Sequence, residues 1–246
     1  MDLGLHEIAE ADHRILNPYT PEKLMLLGEV CHLEEGQRQL DLACGKGEML
    51  CRWSERFGIE GLGVDTSEVF LAAARARAAE LGVEDRVRFD QGDAAQAVPS
   101  DASYDVVSCI GATWIGGGVT GTIELLRPAL RPGGLMLIGE PYWIDEPPAG
   151  AYEAFGVAPD EWTSLVGLLD RFESAGTELV EMVLADGDSW DRYVATQWWT
   201  LTRWLREHPG HPRAAAAAES RSTWRRVHLE YGRRYLGWGV FVLTDA

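Results

Sequence analysis

The sequence predicts an α/β doubly wound fold: a seven-stranded sheet, mostly parallel with an antiparallel edge strand, plus helical cap elements. Three observations predict it. Short β-rich apolar runs alternate with longer helical patterns, the order that builds a parallel sheet covered by helices. A Gly-x-Gly turn, Gly45-Lys46-Gly47, stands between the first strand and the helix after it. Asp65 follows Gly45 by 20 residues, at the end of the second strand.

The first five strands read as Arg38 to Leu42, Glu60 to Val64, Arg86 to Asp90, Asp105 to Ile110 and Leu135 to Gly139. Between the second and third, Ser67 and Glu68 open a helix rich in strong helix formers through Leu81, and Gly82 stops it. A further helix, Gly121 to Leu130, runs into the turn Arg131-Pro132-Gly133-Gly134 before the fifth strand. Pro147-Pro148-Ala149-Gly150 reads as a loop, followed by a helix from about Glu161 to Ala175. Thr177 to Leu184 and Tyr235 to Leu243 are two more strands, paired at one sheet edge. Between them lie two long helical patterns, Ser189 to Glu207 and Pro212 to Arg234. The 246 residues form one domain with no internal repeat.

Composition bounds the function. Lys and Arg number 22 against 39 Asp and Glu, a net charge of −17, so the mean field repels phosphate backbones and anionic lipid. Nucleic acid and membrane are therefore not the expected partners. The N-terminus lacks the pattern of a signal peptide, and no apolar run approaches the ~20 residues of a membrane span. The four cysteines, Cys31, Cys44, Cys51 and Cys109, form no CxxC pair and no zinc spacing. A reducing cytoplasm fits, with these cysteines as buried structural residues.

The Gly-x-Gly turn brings backbone N–H groups close to a ligand at a helix start, and Asp65 is placed to accept ribose hydroxyls. A dinucleotide site carries a third glycine where this chain has Leu50. Asp41, beneath the turn, suits a cationic ammonium or sulfonium better than a pyrophosphate, because like charges in close proximity are disfavoured. S-adenosylmethionine carries both cationic groups.

With Asp41-Leu42-Ala43-Cys44-Gly45-Lys46-Gly47, Asp65, Gly92-Asp93-Ala94 and Leu130-Arg131-Pro132-Gly133-Gly134 in order, the chain resembles the class I S-adenosylmethionine-dependent methyltransferases, with their Rossmann-like fold. Ala43 stands where many members have glycine. The resemblance implies that Asp41, Ala43, Gly45 and Gly47 border the methionine part of the cofactor. It gives Asp65 and Thr66 the ribose, Asp93 and Ala94 the adenine edge, and Ile110 a place in the same pocket. The runs His13-Arg14-Ile15-Leu16-Asn17-Pro18-Tyr19-Thr20, Leu137-Ile138-Gly139-Glu140-Pro141-Tyr142-Trp143 and Gly237-Trp238-Gly239-Val240-Phe241 are similar to bacterial methyltransferases of the YjhP type. That likeness spans nearly the whole chain. It implies residues 1–34 as an N-terminal lid and 189–234 as a helical cap insertion.

Methyl transfer needs a nucleophile held in line with the methyl group, with no obligatory metal. The fourth and fifth strands should end over that methyl group. Glu140 is the candidate base or substrate-amine anchor, against the alternative of a strand-end carboxylate that caps a helix or pairs with Arg. His13 is a second candidate base and Arg14 a carboxylate clamp. Tyr19, Trp114, Tyr142 and Trp143 are the candidate substrate contacts. Asn17-Pro18-Tyr19 lies far from the end of the fourth strand, so Asn17 reads as a turn residue. The helical spacing of Trp198, Leu201, Trp204 and Leu205 reads as packing, and Arg221, Arg225, Arg226, Arg233 and Arg234 as a solvated face.

The expected function is metal-independent transfer of a methyl group from S-adenosylmethionine to a small-molecule acceptor, with O, N, S and C acceptors all open. A non-catalytic S-adenosylmethionine-binding module and an NAD-dependent oxidoreductase are the competing readings.

Overall fold

Alternation along the apolar runs builds the sheet. In the computed structural model, which describes residues 2–246, the strands are β1 (Arg38–Leu42), β2 (Glu60–Asp65), β3 (Val87–Gln91), β4 (Tyr104–Ile110), β5 (Leu130–Trp143), β6 (Thr177–Leu184) and β7 (Leu236–Asp245). Their order is β3-β2-β1-β4-β5-β7-β6, with β7 antiparallel to both neighbours and β6 outermost. The order reverses between β1 and β4, and this is where open α/β sheets bind ligands.

Period two puts successive side chains on opposite faces. Val107, Cys109, Met136, Ile138, Phe241 and Leu243 fill one face, against the helices α5 (Val119–Leu126) and α7 (Leu165–Ser174). Val106, Leu137, Val240 and Val242 fill the other, against α2 (Pro21–Val30) and α3 (Glu48–Phe57). Trp53 is fully buried there and donates its indole N–H to Leu24 O at 3.0 Å, so its one polar atom is satisfied. The helix α4 (Glu68–Leu81) starts at Ser67, whose Oγ accepts the Phe70 N–H at 3.1 Å, and ends at left-handed Gly82.

Several boundaries differ from expectation. Pro128 sits in a 3-10 turn at Arg127–Ala129, so α5 ends at Leu126 and β5 begins at Leu130. Pro132 and the two glycines after it are absorbed in an irregularity of β5, where the register against β4 jumps from Tyr104↔Leu130 to Val106↔Leu135. The strand also runs on to Trp143. Pro141 is tolerated because β4 ends opposite Gly139, leaving only β7 as a partner beyond that point. A short helix, α6 (Ala149–Phe155), forms where a loop was expected, and Ser164 caps α7 several residues later than predicted.

Over the carboxyl ends of the strands lie α1 (Leu3–Ala9), α8 (Gly187–Glu207) and α9 (Ala214–Val227). Asp186 and Ser189 form a reciprocal capping box at the start of α8. Leu5 and Ala9 of α1 pack with Leu201 and Ala217, tying α1 to α8 and α9. After α9 the chain widens into a π-helical turn, His228–Gly232, rather than continuing as one regular α-helix to Arg234. Among the described residues, no helix is long and apolar enough to cross a membrane.

Candidate active site

A cavity of about 980 Å³ opens at the carboxyl ends of β1, β2, β4 and β5 and is roofed by the N-terminal segment and α8. The turn after β1 forms its floor. Ala43, Gly45 and Gly47 all have positive φ, at 56°, 55° and 63°. Gly45 donates its N–H to Asp65 Oδ2 at 2.8 Å, and Ser67 donates its N–H to Asp65 Oδ1 at 2.8 Å. The carboxylate thus fixes the turn and keeps further lone pairs for a ligand.

Asp41 lies buried beneath the turn and accepts the Ser108 hydroxyl at 2.7 Å, while Gln39 donates to the same Ser108 oxygen at 3.0 Å. Burial pushes the Asp41 carboxyl up to about 7, and the nearby Asp65 charge adds to this. The Ser108 hydroxyl opposes this rise, and a cation brought into the pocket would favour the ionised form further. On the exposed side, Asp93 accepts the Ala95 N–H at 3.0 Å and the Gln96 amide at 2.9 Å. Asp41, Ala43, Gly45, Asp65, Thr66, Asp93, Ala94 and Ile110 all line the one cavity. Gly47 does not: a Cβ there would stand 2.4 Å from the Phe89 ring and 2.9 Å from Ala74 Cβ, so its bareness serves the packing of α3 on β3 and α4.

The other end of the cavity holds Glu140, which is 5% exposed. Its Oε2 accepts the Thr113 hydroxyl at 2.7 Å, and the Thr113 carbonyl accepts the Thr122 hydroxyl at 2.7 Å. Burial pushes the Glu140 carboxyl up to about 7. Trp114 and Arg14 line the mouth; Arg14 is exposed and pairs with Glu80 at 3.2 Å. Tyr19 offers the cavity its ring only. Its hydroxyl donates to Val183 O and accepts the Val240 N–H at 3.1 Å, and the ring meets Trp238 edge-on at 4.8 Å.

Three further candidates, besides Gly47, stand outside the cavity lining. The His13 ring is turned away, with Nδ1 2.7 Å from Glu10 Oε2 and the ring centroid 4.8 Å from that of Tyr193. Tyr142 shares a face with Glu140 but is carried roughly 6–7 Å further along the strand, where it packs on Phe241. Trp143 points to the opposite face and meets Tyr152, Phe155 and Trp162. Of these rings, Trp162 is the one that lines the cavity.

Sequence reasoning missed Glu161, Trp162, Tyr193 and Lys46 as lining residues, since the first three arrive from distant elements. Lys46 carried a signal, its place inside the glycine turn. Its ammonium donates to the carbonyls of Glu10 at 2.8 Å, Ala11 at 3.1 Å and His13 at 2.7 Å, stapling the N-terminal segment over the turn. Buried Glu10 completes that anchor, its Oε1 lying 2.7 Å from the Tyr193 hydroxyl and 2.6 Å from the Gln197 amide nitrogen. Asn17 lines the cavity as well: a Cβ on Gly111 would stand 2.6 Å from Asn17 Oδ1. Burial raises the Cys44 thiol well above its ordinary range, so it is held protonated. Among the described residues, no group of three or more His, Cys, Asp or Glu is placed to hold a metal ion.

Comparison with known proteins places this geometry. Residues 40–134 match the model of a methyltransferase domain. The chain is 46% identical to YjhP of Escherichia coli (strain K12) over 238 residues, covering 96% of each. It superposes with a TM-score of 0.95 on a methyltransferase from Geobacter sulfurreducens crystallised with S-adenosyl-L-homocysteine, at 48% identity and covering 99% of this chain and 98% of that one. A second such complex, from Thiobacillus denitrificans, gives a TM-score of 0.95 at 45% identity over the full length of both chains. The glycine turn, the buried Asp41 and Asp65 stand on a chain that belongs to the S-adenosylmethionine-dependent methyltransferases, in the group that contains YjhP.

Proposed function

We propose that this chain transfers the methyl group of S-adenosylmethionine to a small-molecule acceptor held in the same cavity, without a metal. One observation carries the reading: a single space of about 980 Å³ joins the glycine turn with its three acidic residues to the Glu140 end. That volume is at the top of the ~300–1,000 Å³ range of ligand pockets, which leaves room for an acceptor beside the methyl donor. The residues fit the donor. Gly45 lacks a Cβ, which would stand 2.7 Å from Leu16 Cδ1, so the N-terminal segment can close over the turn; Asp65 supplies acceptors for hydroxyls, and Asp41 is a buried carboxylate that a cation would stabilise.

When bound, the donor supplies an electrophilic methyl on a sulfonium. The residues of the chain do the rest. Asp65 and the Gly45 turn orient the donor, and Asp93 with Ala94 borders its base. Glu140, steered by Thr113, faces the acceptor and takes its proton. Trp114 and the Tyr19 ring hold the acceptor's apolar part. The segment 1–34, stapled by Lys46 and Glu10, is the lid that excludes water, and 189–234 is the cap; His13 acts on the lid by its contact with Glu10 and so is a positioning residue. The test is formation of S-adenosylhomocysteine from S-adenosylmethionine with pooled small-molecule acceptors. Turnover in the wild type and its loss in Glu140→Gln, with donor binding retained, supports the reading. Donor binding with no turnover on any acceptor pool favours the binding module instead.

A further inference from the structure

We infer that the acceptor is an amine, which enters the Glu140 end of the cavity as a cationic ammonium and is methylated on nitrogen. This rests on the methyl-transfer reading and names its substrate class. Glu140 is the first observation. It is 5% exposed, lines the cavity, and commits one oxygen to Thr113; among the described residues nothing donates to its Oε1. The second is the sign of the surrounding charge. Glu161 also lines the cavity, exposed and with its Oε2 accepting the Ala158 N–H at 3.2 Å, and its negative charge acts on Glu140. The cavity's basic side chains are elsewhere and engaged: Lys46 on three carbonyls, Arg14 on Glu80, and His6 edge-on against Phe70 of α4. Arg171, the nearest cation behind the wall, spends its guanidinium on the carbonyls of Asp160 and Glu161 and does not line the cavity.

The third observation is aromatic. Trp114, Trp162, Trp190 and Trp238 line this space, and indole faces attract cations. Together these exclude the alternatives on electrostatic grounds. A carboxylate, phosphate, phenolate or enolate acceptor would meet two carboxylates offset only by the Arg171 charge behind the wall, with no basic side chain at this end to pair with it. A neutral alcohol would bring no charge to favour the ionised form, and burial would then hold Glu140 protonated and unable to act as a base. An ammonium supplies the missing charge. Burial together with the Glu161 charge pushes the Glu140 carboxyl up, opposed by the Thr113 hydroxyl and the Arg171 charge, which leaves it able to take a proton near neutrality.

The reaction balances. The ammonium gives one proton to the Glu140 carboxylate, and the freed nitrogen lone pair forms the new N–C bond. The C–S bond breaks as it forms, its electron pair staying on sulfur as a neutral thioether. The nitrogen now carries the positive charge, and Glu140 returns its proton to water when product leaves.

The experiment uses the full chain saturated with S-adenosylhomocysteine and three probes of one shape: choline, its neutral carbon isostere dimethylbutanol, and the anionic dimethylbutanoate. Binding is read by calorimetry and by tryptophan fluorescence. Choline should bind about tenfold or more tightly than dimethylbutanol, and dimethylbutanoate not at all. The preference should fall several-fold in Glu140→Gln, the indole faces and Glu161 keeping the remainder. In the wild type it should also weaken from about pH 8 to about pH 6 as Glu140 is protonated, choline itself having no titration there. Equal binding of choline and dimethylbutanol, or preference for the carboxylate, in protein that still binds S-adenosylhomocysteine overturns the amine assignment alone. Failure to bind S-adenosylhomocysteine overturns the methyl-transfer reading and the amine assignment with it.

Discussion

Replacing Asp65 with alanine separates the two tasks assigned to that carboxylate, holding the turn and holding the ligand. In the free protein it accepts two backbone N–H groups at 2.8 Å, from Gly45 and Ser67. Charge-assisted bonds of this kind contribute ~1.5–3 kcal/mol each, and because the site is partly solvated we take about 3 kcal/mol for the pair. For a chain of this length that is roughly 6–12 °C in Tm. S-adenosylhomocysteine at ~100 times its Kd should add about 2.7 kcal/mol to the wild type, or roughly 5–10 °C. If Asp65 contributes about as much again to ribose binding, Kd rises ~100-fold, and the same ligand concentration then adds only about 0.4 kcal/mol, near 1 °C. The assay is a tryptophan-fluorescence melt of both proteins with and without ligand. A folded Asp65→Ala protein that keeps the full ligand-induced shift would refute the assignment of Asp65 to the ligand.

Ala43 holds φ 56°, a left-handed conformation that costs a non-glycine residue ~1–2 kcal/mol, so Ala43→Gly should raise the urea midpoint despite glycine's greater entropy loss; an unchanged or lower midpoint contradicts the strain. Tyr19→Phe removes the hydroxyl between Val183 O and Val240 N–H and should cost ~1–3 kcal/mol at constant m-value, with S-adenosylhomocysteine affinity preserved. Asp41 and Glu140 are both pushed up to about 7, so the native state binds more protons than the unfolded one between about pH 4 and pH 7. Their contribution is therefore fully present below their ordinary carboxylate range and is lost as pH rises through about 7. Stability in urea should fall across that interval, less steeply in Asp41→Asn, and a wild-type profile that rises instead would contradict the burial argument. Glu140→Gln should lower kcat on the order of 100-fold with donor Kd unchanged, and an unaltered kcat removes Glu140 from proton transfer.

The glycine-turn end of the cavity was legible because it is local. Asp41 through Gly47 is one strand-turn-helix run, and Asp65 and Asp93 each lie at the end of the strand the apolar pattern marks. Gly47 illustrates the limit of the pattern: the sequence marks it as a residue that must lack a side chain, and only the packing of Phe89 and Ala74 reveals why. The Glu140 end was legible only in part. Glu140 was found because it follows an apolar run, yet Glu161, Trp162 and Tyr193 reach it from α8 and from the loop before α7, over separations no local period records. Tyr142 and Trp143 were drawn in by proximity along the chain, whereas β5 continues through them and moves both away from Glu140. The antiparallel pair at the sheet edge was visible as two late apolar runs. That β7 lies inside β6 depends on tertiary contacts, among them the Tyr19 hydroxyl that bridges the two strands.

The most direct test of the central claim is a calorimetric titration of the wild-type chain with S-adenosylhomocysteine and, separately, with NAD. The account predicts one S-adenosylhomocysteine per chain, with proton release near neutral pH as the ligand's ammonium favours ionised Asp41, and no saturable heat from NAD. Saturable binding of NAD with none of S-adenosylhomocysteine would contradict it.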